Sequence, residues 1–167
     1  MSAESDRAEL IARNIAVLQR WFDSANAGDH ESRWEIYHPD IVHELPWTLP
    51  PFPKVTKGLD NLMAFTGSVP RFGTRPNFHD IEIHAFADDP YELIATYKSD
   101  WELANGKGYK NDYLLRVRIQ DDKIITFIEW PDPLRLLVAL GGSYTLPGEK
   151  LPDIVHSSDE STADASS

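Results

Sequence analysis

The chain has 167 residues, 16 Lys and Arg against 27 Asp and Glu, and a formal net charge of −11. A domain of this length can bury about two thirds of its unfolded surface. Its negative charge opposes nucleic-acid phosphates and anionic membranes, so neither is expected as a partner. The lack of cysteine excludes disulfide scaffolds, thiolate zinc sites, iron–sulfur ligation and a cysteine nucleophile. No apolar run approaches the roughly 18 residues that a membrane-spanning helix needs. The polar, acidic start from Met1 to Asp6 is neither a secretory signal nor a transit peptide, which predicts a cytoplasmic protein. Seven Phe, five Trp and six Tyr are the unusual feature.

In chain order, Asp6 to Ala27 repeats apolar residues at helical spacing (Leu10, Ile11, Ile15, Leu18, Trp21, Phe22, Ala25) and ends at Gly28. Asp29 can cap a second helix carrying Trp34 and Tyr37, broken at His38-Pro39 because the residue before proline leaves the helical region. Ile41 to Pro46 reads as a strand. Four prolines between Pro46 and Pro53 predict a stiff extended loop. Gly58 precedes a third helix whose inner face draws on Leu62, Met63, Phe65, Thr66 and Val69.

Four strands follow: Asn77–Ala87, Tyr91–Leu103, Tyr109–Ile119 and Lys123–Trp130, joined by short polar turns that imply antiparallel hairpins. Asp132-Pro133 then opens a short helix, Leu134 to Leu140, closed by Gly141-Gly142. Helices first and a meander afterwards predict an α+β fold, a curved antiparallel sheet wrapped around three N-terminal helices. Residues 1–156 read as one domain. The last stretch, Ser157 to Ser167, holds five Ser and three acids with nothing to bury, and reads as a disordered tail.

Strand alternation divides the sheet into two faces. One carries Leu93, Ala95, Tyr97, Ser99 and Trp101, then Tyr109, Asn111, Tyr113, Leu115, Val117 and Ile119, then Ile125, Phe127 and Glu129. This face should meet the helices. The other mixes Ile94, Leu114, Ile124, Ile128 and Trp130 with charges. A homodimer through that outer face explains the mixture; a wet face with scattered apolar residues is the alternative.

Three polar groups stand out on the apolar face: Glu129, Tyr113 and Asn111. A carboxylate beside Phe127 is expensive to bury charged, and burial lifts its pKa toward the range of a general acid or base. The other reading places Glu129 at the strand's end, reaching water or a helix N-terminus. His43 shares its face with Ile41, Leu45 and Trp47, so either His43 or Glu44 faces a pocket, not both; a purely structural His43 is the alternative. Tyr113 and Asn111 are suited to orient a carbonyl or hydroxyl, or Tyr113 simply fills the core. His79 and His84 fall on opposite faces by simple alternation. No His-x-His or His-Glu-x-x-His occurs, which predicts no metal. Gly106-Lys-Gly108 is a turn, not a dinucleotide loop, and Gly141-Gly142-Ser143 lacks the strand-to-helix elbow of a serine nucleophile. The expected chemistry uses no cofactor.

Asp40-Ile-Val-His-Glu-Leu-Pro46, the proline-rich loop, Lys57-Gly58 opening a helix, Ile124-Ile125-Thr126 after its polar turn, and Glu129-Trp-Pro-Asp132-Pro133 before a Leu-rich helix together resemble the SnoaL-like branch of the nuclear transport factor 2-like superfamily. The last motif, with Asn111-Asp-Tyr113, is also similar to the phenazine-biosynthesis A/B proteins. The resemblance spans about residues 7 to 145. It implies a cone of sheet and helices around one pocket, usually dimeric through the outer sheet face. Polyketide cyclases, ketosteroid isomerase, scytalone dehydratase and limonene epoxide hydrolase share that fold with non-catalytic binders. It also implies an acid/base role for Glu129. The sequence departs from the phenazine group at Leu59 and Asp112, where that group carries histidines. Asp112 answers to the SnoaL cyclases' aspartate only under a one-residue shift of register.

These readings converge on cofactor-free acid/base chemistry on a small, largely apolar or aromatic metabolite. Glu129 would move the proton, helped by His43 or Tyr113, with Asn111 positioning an oxygen. Trp21, Tyr37, Trp47, Phe65, Tyr97 and Trp101 would form the wall, and the Pro46–Pro53 loop a rim. A non-catalytic binding or accessory module, and a dimerisation domain with a filled core, are the alternatives.

Overall fold

Helix α1 (Ala3–Ala27) starts at Ser2, whose hydroxyl accepts the Ser5 N–H. It stops at Gly28, whose φ of 72° costs a side-chain-bearing residue strain. Asp29 caps α2 (His30–Ile36) through the Ser32 N–H. The computed structural model describes residues 2–68, 73 and 75–145. Val69 and the 157–167 tail lie outside the described residues.

The strands are β1 (Tyr37–Glu44), β2 (Val55–Lys57), β3 (Asn77–Ala85), β4 (Glu92–Glu102), β5 (Gly108–Gln120) and β6 (Lys123–Pro131). Helix α3 (Leu59–Ser68) follows β2, and α4 (Pro133–Ala139) follows β6. One six-stranded sheet runs in the order β2-β1-β6-β5-β4-β3. The expected α+β fold is present: β3 to β6 form the antiparallel meander, and the helices cover one face. The pair β1–β6 is parallel, the other pairs antiparallel. The Asp121-Asp122 turn has φ of 50° and 58°, the positive pair that suits a tight hairpin.

Several local expectations change. Tyr37 heads β1 rather than ending α2, because its backbone pairs with Ile124 of β6. The proline segment is not extended: Thr48 N–H bonds Leu45 O, Phe52 N–H bonds Leu49 O, and Leu45 N–H bonds Lys54 O, folding it into a closed excursion. The short strand β2 follows it. A bulge between Arg118 and Ile119 changes the phase of β6, so Ile124, not Ile125, joins Phe127 and Glu129 on the inner face, fully buried. A second bulge beside Asp80 (φ 51°) pairs His79 with Lys98 and His84 with Ile94, which puts both histidines on the outer face.

The core forms where Val17, Leu18, Trp21 and Phe22 of α1 and Leu62 of α3 meet Leu93, Ala95, Leu115, Val117, Ile119 and Ile124. At the other end of the same strands the inner face opens into a cavity of about 350 Å³.

Candidate active site

Glu129 sits on the cavity wall at the inner face of β6, opposite Leu115. Burial among apolar groups pushes its carboxyl up to about 7, against a smaller downward pull from the Tyr97 hydroxyl that donates to Oε1. Tyr97 is 2% exposed and lies behind the cavity, stacked on Tyr113 at 4.6 Å with rings 1° from parallel. Burial, and then the nearby Glu129 charge, hold the Tyr97 phenol well above its ordinary range, so it stays a donor at neutral pH.

Tyr113 lines the cavity and its hydroxyl pairs with Ser99 Oγ at 2.9 Å. Asn111, 1% exposed, does not reach the cavity. Its Nδ2 donates to the Tyr109 hydroxyl at 2.5 Å and Asp132 O at 3.1 Å, and its Oδ1 accepts the N–H groups of Asp112 and Asp132. Those bonds tie β5 to the α4 cap and occupy the whole amide.

His43 faces inward and Glu44 outward, as β1 pairs them with Phe127 and Ile128. His43 is 7% exposed, stacks on Phe127 at 5.1 Å, and lines the cavity. Burial lowers its pKa to about 4, so the ring is neutral at pH 7. Asp112 points outward, opposite Lys98, and pairs with Arg135 at 2.6 Å; the shifted-register alternative for it falls away.

Of the expected wall, Trp21, Tyr37, Phe65 and Trp101 line the cavity. Trp21 Nε1 donates to the Tyr37 hydroxyl at 2.6 Å, and burial raises that phenol to about 12. Trp47 is 59% exposed and lies outside the cavity, because the chain turns just beyond β1. Thr48 and Phe52 of the proline segment do reach the lining. Sequence reading missed His30, Arg33 and Arg75, which line one side. Arg33 bonds His30 Nδ1 at 2.7 Å and Arg75 bonds Ala27 O at 2.9 Å. The available signal was the His30 and Arg33 pair just after the Gly28 helix stop; no local pattern announced Arg75.

Among the described residues, no group of three or more His, Cys, Asp or Glu side chains is placed to hold a metal ion. No described helix is long and apolar enough to cross a membrane. The arrangement offers one proton-carrying carboxyl, the neutral imidazole of His43 and buried phenols around a largely apolar space, with His30, Arg33 and Arg75 also on its lining.

The SnoaL-like domain family matches residues 18–127. An uncharacterised PhzA/B-like protein of Pseudomonas aeruginosa is 26% identical over 134 residues, covering 80% of this chain and 89% of the relative. A phenazine biosynthesis-related protein from Pseudomonas aeruginosa superposes with a TM-score of 0.70 at 22% identity, covering 91% of this chain and 99% of that one. A presumed isomerase from Bacillus subtilis gives 0.73 at 20% identity, over 81% and 97% of the two chains. A presumed polyketide cyclase from Xanthomonas campestris gives 0.69 at 17%, over 78% and 98%. At such identities the structural likenesses show the fold. The chain belongs to the SnoaL-like family of the nuclear transport factor 2-like superfamily, and within it resembles the PhzA/B proteins.

Proposed function

We propose that the protein is a cofactor-independent acid/base enzyme acting on a small, largely apolar or aromatic metabolite, with Glu129 as the proton carrier. The observation that carries this reading is a carboxyl raised to about 7 on the wall of an apolar, aromatic cavity. A group titrating near neutral pH exists in both forms, so it can take a proton from carbon or oxygen and return it. Isomerisation, dehydration, ring closure and epoxide opening all use one such carrier in a dry site. The polyketide cyclase and isomerase descriptions of the structural neighbours support that range. Tyr113 and His43 assist, and Trp21, Tyr37, Phe65 and Trp101 shape the wall.

A panel of aromatic ketones and steroids, followed by tryptophan fluorescence, identifies a ligand, since Trp21 and Trp101 line the space. Glu129→Gln is then expected to lower turnover about 10²- to 10⁴-fold with ligand affinity largely kept. Survival of both turnover and binding would remove Glu129 from the role. Ligand binding with no turnover in the wild type would favour a binding module.

The reading includes a cytoplasmic homodimer through the outer sheet face, where Ile94, Leu114, Ile128 and Trp130 lie among charged side chains. Light scattering should report a dimer, and Leu114→Glu should give monomers. A chain truncated after His156 is expected to keep the fold and the activity.

A further inference from the structure

We infer that His43 is the residue that reads a carbonyl oxygen of the ligand: its Nε2–H donates to that oxygen while the neighbouring C–H bond faces Glu129. The inference rests on the acid/base reading above and narrows its substrate class to ketones and enones with an acidic C–H beside the carbonyl.

Three observations lead there. First, His43 lines the cavity, yet its Nδ1 is buried and has no hydrogen-bond partner among the described residues. The nitrogen left to serve the cavity is Nε2. A proton on Nδ1 would be a buried orphan donor, the rarer and costlier defect. A proton on Nε2 finds ligand or water in the cavity and matches the intrinsically preferred imidazole tautomer. Second, the ring cannot reorient freely. Phe127 stacks on it at 5.1 Å and 16°, and Phe65 packs against it at 6.1 Å. Third, His43 pairs with Phe127, and Glu129 lies two residues further along the same face of the adjacent strand. Strand geometry sets the two Cβ atoms about 8 Å apart, room for a carbonyl and its adjacent carbon between the two side chains.

In the step so defined, the C–H bond breaks and its proton passes to a Glu129 oxygen. The C–H electron pair becomes the new C=C bond, and the carbonyl π pair moves onto oxygen, where His43 Nε2–H donates. Proton return from Glu129 to carbon restores the carboxylate, and no other reactant is needed. His43, neutral because of its burial, keeps its proton throughout.

Nitrogen-15 spectra of histidine-labelled protein test the tautomer directly. Between pH 5.5 and 8 His43 should show an unprotonated Nδ1 and a protonated Nε2. Binding supplies the second arm, with 2-naphthol as a planar mimic of the enolate and naphthalene as its oxygen-free control. His43→Phe, which keeps the ring stack, should weaken 2-naphthol about tenfold and leave naphthalene unchanged. His43→Gln keeps a donor near the Nε2 position and should restore most of the loss. Equal loss of both probes, or an Nδ1-protonated or cationic ring, overturns the inference and leaves the acid/base reading standing. Failure of the wild type to bind either probe overturns that reading and the inference together. Should His43→Phe not fold, the wild-type spectra and His43→Gln decide the matter.

Discussion

The same strands build two different rooms. At one end of the inner face β4 presents Leu93 and Ala95, β5 presents Leu115, Val117 and Ile119, and β6 presents Ile124, all against α1. A few residues along, the same strands present Tyr97 and Ser99, then Tyr113, Asn111 and Tyr109, then Glu129. The first room is filled by buried side chains; the second borders a cavity of about 350 Å³. The backbone ladder continues through both, so the change comes from side chains alone. Hydrocarbon packs tightly and supplies stability, whereas hydroxyls and a carboxyl need partners and leave room for a ligand. Conformational stability and chemistry are therefore separable by substitution.

The sharpest break is Leu93→Ala in the packed room. Leu93 is fully buried, so truncation removes its transfer energy and leaves a void. Stability should fall by about 2–5 kcal/mol and the melting temperature by roughly 5–15 °C. Ligand affinity, measured at low temperature where the chain is still folded, should hold. Loss of binding without loss of stability would refute the separation.

Glu129→Gln should show the opposite signature. The folded chain holds the Glu129 proton up to about pH 7, whereas the ordinary value is 4.5. A raised acid stabilises the fold below its unfolded pKa, and that contribution is lost as pH rises through 7. Removing the buried charge should therefore stabilise the protein at pH 8 by up to about 3 kcal/mol in urea melts, with the gain vanishing below pH 4.5. His43 runs the other way, because its folded value near 4 lies below the ordinary 6.5, so its contribution is lost as pH falls between them. A pH-independent gain in Glu129→Gln would mean the carboxyl is not sheltered.

Asn111→Ala blurs the division usefully. The residue belongs to the polar room by position, but its bonds to Tyr109 and to both backbone groups of Asp132 are structural. Truncation should cost about 2 kcal/mol. Amide exchange at the start of α4 should speed up while 2-naphthol affinity stays near wild type. A large affinity loss at unchanged stability would return Asn111 to the ligand.

Asn111 also shows where sequence reading stops. Alternation placed it correctly on the inner face, but its partner Asp132 lies 21 residues away and cannot be read from a local pattern. Features set by neighbours along the chain were legible: the α1 stripe, the Gly28 stop, the Asp29 and Asp132 caps, the hairpin turns, and the polar switch at Tyr113 and Glu129. Features set by distant pairing were not. Tyr37 is strand because β6 lies beside it in parallel, and no residue near Tyr37 announces that. Ile124 entered the core through a bulge, where one extra residue reverses every inference drawn from a period of two. Trp47 shows the converse: the alternation was extended past Glu44, where the strand had already ended. Arg33 of α2 and Arg75, just before β3, both line the cavity, a convergence visible only after folding.

The smallest expected effect probes the seam between the two rooms. Tyr97 stacks on Tyr113, packs against Phe22 at 4.9 Å, and donates to Glu129. Tyr97→Phe keeps the rings and removes only that donor, so stability should change by about 1 kcal/mol or less. The hydroxyl favours the charged carboxylate, and its loss should raise the Glu129 pKa above its present value near 7. In a pH profile of kcat/KM, the limb on which Glu129 must be ionised should move to higher pH by about one pH unit. His43 Nε2 should keep its proton, because the hydroxyl removed is the one that donates to Glu129. A profile that stays in place would mean that the phenol only fills space, and that burial alone sets the carboxyl. A shift toward lower pH would mean that the Tyr97 hydroxyl favours the protonated acid, accepting rather than donating the shared proton.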